Sequence, residues 1–189
     1  FIECMERGAK LVTITPEYSP PASKSDYWIP VRPGTDAALF LGITRLMVDN
    51  NWYDRDFVTN FTDFPLLVRT DNLKRLRAHE IFQNYKLGLS KDGPSYKYQG
   101  LKDEQYEKLG DFVVWDEIGD KPVALTRDEI GNRFAQKGIK PALEGTFKVN
   151  TTDGKEIEAM TLFSLYQIHL RDYDLETVTE ITHAPKELI

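Results

Sequence analysis

The first apolar run along the chain, "AKLVTITP", is rich in β-formers from Lys10 to Thr15 and stops at Pro16, which predicts a strand. Ahead of it, Phe1 to Arg7 reads as the tail of a helix, with Gly8 where a left-handed residue closes one. A loop rich in Pro and Ser, Glu17 to Asp26, leads to a second predicted strand from Tyr27 to Val31. From Asp36 to Asn50 the period lengthens to that of a helix, with Leu39, Ile43, Leu46 and Met47 in register. Further apolar residues surround that stripe, so this helix is expected to be buried on several sides. "YDRDFVTNF" reads as a short helix, and "PLLVR", Pro65 to Arg69, as a strand or an extended connection.

From about Thr70 the pattern changes. "NLKRLRAHEIFQNYK" and "SKDGPSYKYQG" are polar, basic and aromatic, with weak periodicity. Two hairpins follow: "DFVVWDEIGDKPVALT", turning at Gly119-Asp120, and "GTFKVNTTDGKEIEAMT", turning at Asp153-Gly154. "LFSLYQIHLRDY", "LETVTEIT" and "PKELI" are helical in pattern. The order predicts an α/β fold in three parts. Residues 1–69 form a Rossmann-like lobe with a parallel sheet, 70–160 an irregular insertion carrying β-hairpins, and 161–189 a helical segment returning to the lobe.

Composition narrows the partners rather than the fold. The 189 residues carry a formal net charge of −6, which argues against duplex nucleic acid, since phosphate binding needs a basic face. No apolar run approaches the roughly 20 residues of a spanning helix. The single cysteine, Cys4, provides neither a disulfide framework nor a Cys-rich metal site, and in a helix tail it is expected to be core. His79, His169 and His183 share no metal-ligand spacing, and His169 reads as a helix histidine with a satisfied partner. Lys74, Arg75 and Arg77 read as a solvated basic face, and Trp28, Trp52 and Trp115 as core or interface anchors. The chain opens on Phe1 and stops at Ile189 inside helical text, so both ends are expected to be internal to a longer polypeptide.

Candidate chemistry concentrates where strands are predicted to end. In "VRPGTDAAL", Gly34-Thr35-Asp36 joins the second strand to the long helix. One reading is a plain helix start, with Thr35 as the cap and Asp36 favourable against the helix dipole. The other is a ligand clasp: Gly34 allows close backbone approach, and two carboxylate oxygens match the adjacent N–H donors of a guanine edge. "TPEYS", Thr15 to Ser19, ends the first strand and is either a simple turn or a second part of the same site. In open α/β sheets, ligands bind beyond the carboxyl ends of the strands.

Together "GAKLVTITPEYSPPASKSDYWIPVRPGTDAALFLG" and "TDFPLLVRTDNLKRL" resemble the catalytic, or alpha, subunit of the dimethyl sulfoxide reductase family of molybdopterin oxidoreductases. The resemblance is nearest to the branch holding nitrite oxidoreductase and respiratory nitrate reductase. "DLETVTEITHAPKELI" is similar to that family's "EITGVP" junction, with His183-Ala184 in place of Gly-Val. The resemblance implies part of a larger multidomain enzyme that carries molybdenum on a bis-molybdopterin guanine dinucleotide. It implies that Thr15, Pro16, Glu17, Tyr18 and Ser19 line the ribose and phosphates of one dinucleotide. Gly34, Thr35 and Asp36 would then hold its guanine end. The family's iron–sulfur cysteine motif and its molybdenum-ligating aspartate segment have no counterpart here, so no metal ligand and no catalytic acid or base is assigned. The activity it implies is nitrite oxidation or nitrate reduction by oxygen-atom transfer. Selenate, perchlorate or chlorate reduction, ethylbenzene-type dehydrogenation and a non-redox nucleotide-binding domain are the alternatives. The implied partners are an iron–sulfur electron-transfer (beta) subunit, a haem (gamma) subunit and a small oxyanion substrate. The implied compartment lies outside the cytoplasm, at the membrane through partners.

Overall fold

A computed structural model describes residues 2–86, 111–126, 129 and 131–189. Its contacts group the chain into two units, Phe1–Tyr53 with Gln167–Ile189, and Asp54–Tyr166. The predicted divisions fell at 69/70 and 160/161, whereas these fall at 53/54 and 166/167.

In the first unit, helix α1 (Ile2–Glu6) precedes strand β1 (Val12–Ile14), and strand β2 (Tyr27–Ile29) precedes helix α2 (Asp36–Asp49). The two strands pair in parallel, with Val12 opposite Tyr27 and Ile14 opposite Ile29. Both are shorter than predicted. Their parallel pairing is nonetheless as predicted. Helix α7 (Leu175–Thr182) packs on α2, and Ile29, Val31, Leu39, Val178 and Ala184 form the core between strand, helix and chain end.

Two expectations fail in this unit. Helix α2 buries only Leu39 and Gly42 completely, while Phe40 is 53% and Met47 40% exposed. Its apolar girth therefore exceeds what the described residues cover. Cys4 is exposed rather than core, because the short α1 places no buried residue.

The turn after α7 carries a departure from the usual residue. His183 stands at φ 59°, ψ 13°, a left-handed conformation, with its N–H on the Thr179 carbonyl at 2.8 Å. A side chain there costs about 1 kcal/mol that glycine avoids, part of which returns through the freer unfolded chain. His183→Gly is therefore expected to stabilise the first unit by about 0.5–1 kcal/mol. Chemical denaturation of the two proteins side by side would read this.

The second unit holds helices α3 (Arg55–Phe61), α4 (Ala78–Ile81) and α5 (Asn132–Gln136) and a three-stranded sheet in the order β3 (Leu67–Arg69), β7 (Glu156–Thr161), β6 (Thr146–Asn150). Strand β3 pairs antiparallel with β7, Leu67 opposite Thr161, which places "PLLVR" with the hairpins rather than with the parallel lobe. Both predicted hairpins form, β4 (Phe112–Asp116) with β5 (Lys121–Leu125) and β6 with β7. Helix α6 (Leu162–Leu170) follows β7 directly. "SKDGPSYKYQG" lies outside the described residues.

One buried carboxylate organises the first hairpin. Asp116 accepts from the N–H groups of Ile118 at 3.2 Å, Gly119 at 3.0 Å and Lys140 at 2.9 Å. Burial opposes its charge, but those three donors and the Lys121 ammonium outweigh it and hold the carboxyl below the usual range. Asp116→Ala leaves three donors without an acceptor and is expected to cost about 2–3 kcal/mol. The loss should appear as a lower denaturation midpoint with the parallel lobe's spectrum intact.

Lys74, Arg75 and Arg77 are not simply a solvated face. Arg75 pairs with Asp63 at 3.1 Å, and the guanidinium carbons of Arg75 and Arg77 stand 5.4 Å and 4.3 Å from the Phe112 ring centre. Trp115 stacks on Phe147 at 4.4 Å, an anchor as expected, whereas Trp52 is 67% exposed and belongs to no core. His169 meets Tyr173 edge-on at 5.4 Å.

Candidate functional site

Parallel pairing puts the carboxyl ends of β1 and β2 side by side. The loop Thr15–Ser19 leaves from one end, and the connection to Gly34–Asp36 leaves from the next. Both candidate loops therefore leave from the carboxyl ends of neighbouring parallel strands.

The first loop is tied down at its root. The Thr15 N–H donates to the Ile29 carbonyl at 3.2 Å, and the Thr15 carbonyl accepts from the Trp28 indole N–H at 3.1 Å. Pro16 then fixes φ and donates nothing. The Ser19 N–H closes on the Glu17 carbonyl at 2.8 Å, so the turn is internally bonded. Thr15 and Ser19 are half-buried, while Pro16, Glu17 and Tyr18 face outward. The Tyr18 ring stands edge-on to Trp28, centres 5.0 Å apart at 68°.

The second loop is held from the other side. The Arg32 N–H donates to the Thr182 carbonyl at 2.7 Å, tying the chain after β2 to the end of α7. The Thr35 N–H and hydroxyl both donate to the Arg32 carbonyl, at 3.2 Å and 2.7 Å. Thr35 is thus the residue before the helix but not its side-chain cap, which corrects the capping expectation. Its hydroxyl closes the loop instead. Gly34 sits at φ +82° with nothing within 4 Å of where a Cβ would stand, so the backbone is both left-handed and open. Asp36 is exposed in the first turn of α2, where the helix dipole favours a negative group.

Asp26, on the connection between the two strands, lies at their other end. Asp26 accepts from the Leu11 N–H at 2.9 Å and the Lys10 ammonium at 2.8 Å, clamping the amino ends of the two strands. The Leu11 N–H, and then Lys10, hold its carboxyl below the usual carboxylate range. A depressed folded pKa gives stability above the unfolded value of about 3.9, lost as pH falls through the folded value. Hydrogen-exchange protection of the Leu11 amide should be full at neutral pH and be lost only as pH falls below the ordinary carboxylate range. Unchanged protection there would show that the clamp is immaterial.

Residues that sequence reasoning missed are those that position the loops: Trp28, the Arg32 carbonyl and Thr182. Only Trp28 left a signal, as a tryptophan beside a candidate loop. A cleft of about 870 Å³ in the second unit, lined by Arg75, Arg77, Phe112 and Glu129 among others, includes none of the residues predicted to hold the cofactor. Among the described residues no cluster of His, Cys, Asp or Glu could hold a metal ion, and no helix is long and apolar enough to cross a membrane.

No family model matches the chain. It is 30% identical over 99% of its length to the respiratory nitrate reductase subunit alpha of Haloferax mediterranei, of which it covers 18%. It is 31% identical over 96% of its length to the chlorate reductase subunit alpha of Ideonella dechloratans, covering 17% of that protein. It is 29% identical over 99% of its length to the perchlorate reductase subunit alpha of Dechloromonas aromatica, covering 20%. The chain thus spans about a fifth of the length of these relatives. With similarity running through nearly all of its residues, the chain is homologous to one segment of the alpha subunits of the molybdopterin oxidoreductases.

Proposed function

We propose that this segment belongs to the catalytic subunit of a molybdenum oxidoreductase and holds one guanine dinucleotide of its bis-molybdopterin guanine dinucleotide cofactor. The observation that supports this most is the pair of loops at adjacent carboxyl ends of parallel strands, one carrying an open left-handed glycine two residues before an exposed carboxylate. These residues fit the group. The carboxylate of Asp36 accepts from the two adjacent N–H donors of guanine, a pair adenine does not offer. Gly34 lets the base or its sugar approach the backbone, and Thr35, bonded to Arg32, keeps that backbone in place. Thr15 to Ser19 would line the ribose and phosphates, with hydroxyls from Thr15 and Ser19 and a carboxylate from Glu17 within one turn.

When bound, such a cofactor supplies two-electron oxygen-atom exchange with an oxyanion. The residues of this segment bind and orient it. The preferred reaction is nitrate reduction or its reverse, nitrite oxidation, in line with the similarity to a nitrate reductase. Perchlorate or chlorate reduction is the second reading, favoured by the comparable identity to those two reductases. The alpha-subunit names of the relatives support partner subunits; we propose that these are an iron–sulfur (beta) and a haem (gamma) subunit, at a location outside the cytoplasm.

The test is molybdenum content with acid-released GMP on the full-length protein from its source, followed by turnover with nitrate, nitrite, chlorate and perchlorate. About two GMP per molybdenum is expected for a bis-dinucleotide cofactor. Intact protein with neither metal nor GMP would overturn the proposal.

A further inference from the structure

We infer that Trp28 is the positioning residue that couples the two halves of the nucleotide site. The inference rests on the reading above, that Thr15–Ser19 and Gly34–Asp36 hold one ligand. Trp28 is the central residue of β2, opposite Thr13, on the strand that runs on to Gly34. Yet its side chain serves the other loop. The indole N–H donates to the Thr15 carbonyl at 3.1 Å, and the ring supports Tyr18 at 5.0 Å. Thr15 is therefore fixed to β2 twice, by its own N–H on Ile29 and by its carbonyl on Trp28.

Between those two anchors and the internal Ser19 closure lies only Pro16, Glu17 and Tyr18, and Pro16 has a fixed φ. The loop's few remaining freedoms end at Tyr18, which is 65% exposed and has the Trp28 edge as its support. A half-buried indole thus sets both where the first loop begins and how its tip stands relative to the strand that carries the second. A phenylalanine would keep the ring and lose the donor. A loop so released would still fold, but its hydroxyls and carboxylate would be spread over more conformations, and a ligand would have to select among them.

The experiment is Trp28→Phe in the full-length holoenzyme. It reads the rate at which GMP-yielding cofactor is lost in mild urea, beside the global denaturation midpoint. Loss about three- to tenfold faster, the equivalent of one hydrogen bond, is expected with the midpoint unchanged. Loss at the wild-type rate would overturn the role of Trp28 while leaving the cofactor reading in place. Faster loss in step with a lower midpoint would also overturn it, as a merely structural effect. Wild-type enzyme without GMP would remove both proposals together. If Trp28→Phe fails to fold, Trp28→Tyr keeps an amphipathic ring while moving its donor off the Thr15 carbonyl. Its cofactor should be lost faster than wild type, and an equal rate counts against the inference.

Discussion

On the proposed function, Asp36→Ala is expected to leave the full-length protein folded but unable to retain the guanine dinucleotide, with affinity down by at least about 100-fold. Two charge-assisted hydrogen bonds to guanine are lost at once, together about 3 kcal/mol or more. The helix-start reading predicts something else for the same change. As a first-turn acid on α2, Asp36 is worth about 0.5 kcal/mol against the dipole, and cofactor content would not move. The two readings thus differ by well over tenfold in a single measurement of GMP per protein. Asp36→Asn sharpens the comparison, because it keeps the size of the side chain and turns one acceptor into a donor facing a donor. Retention of GMP in both variants would return Asp36 to the role of a helix residue.

The second large effect is expected at Gly42. A Cβ built there would lie 2.6 Å and 3.0 Å from the two methyl groups of Val178, closer than real Cβ contacts come. Helix α2 can approach α7 this closely only because residue 42 has no side chain. Valine is β-branched and stiff at χ1, so its methyls cannot simply turn away. Gly42→Leu is expected to cost about 3 kcal/mol, the upper part of the range for overpacking, despite the gain in helix propensity. Val178→Ala opens space at the same contact and should recover part of that loss in the double variant, whereas independent sites would add. A double variant as unstable as the sum of its parts would mean that the helices separate elsewhere.

How much of this was legible beforehand differs from element to element for physical reasons. The hairpin at Gly119-Asp120 and that at Asp153-Gly154 were readable because turn chemistry is local: a few residues decide it. Helix α2 was readable in extent because fourteen residues repeat one period, but its burial was misjudged. Periodicity reports which residues can be buried, and coverage by other chain segments decides which are. "PLLVR" gave a strand but not a partner, since pairing with β7 joins residues about ninety apart and leaves no short-range trace. The two site loops were visible through Gly34 and Asp36, whose types are informative. What holds them was not, because the Arg32 carbonyl and the Thr182 carbonyl are backbone atoms that every residue has.

The first unit is assembled from residues on either side of a long excursion, Asp54 to Tyr166. Its chain departs just after α2, and on returning Gln167 and Arg171 line the same small cleft as Val48 and Asp49, with the Arg45 guanidinium on the Arg171 carbonyl at 2.8 Å. In evolutionary terms this is a permissive arrangement. Lengthening a connection costs only about 0.6 kcal/mol per doubling, so the excursion can grow, shrink or diverge while residues 15 to 36 keep their setting. The match to the perchlorate reductase alpha subunit runs over 210 positions for a chain of 189 residues, so that relative carries extra residues within the shared span. A lineage built this way can change what surrounds residues 15 to 36 without rebuilding the two loops themselves.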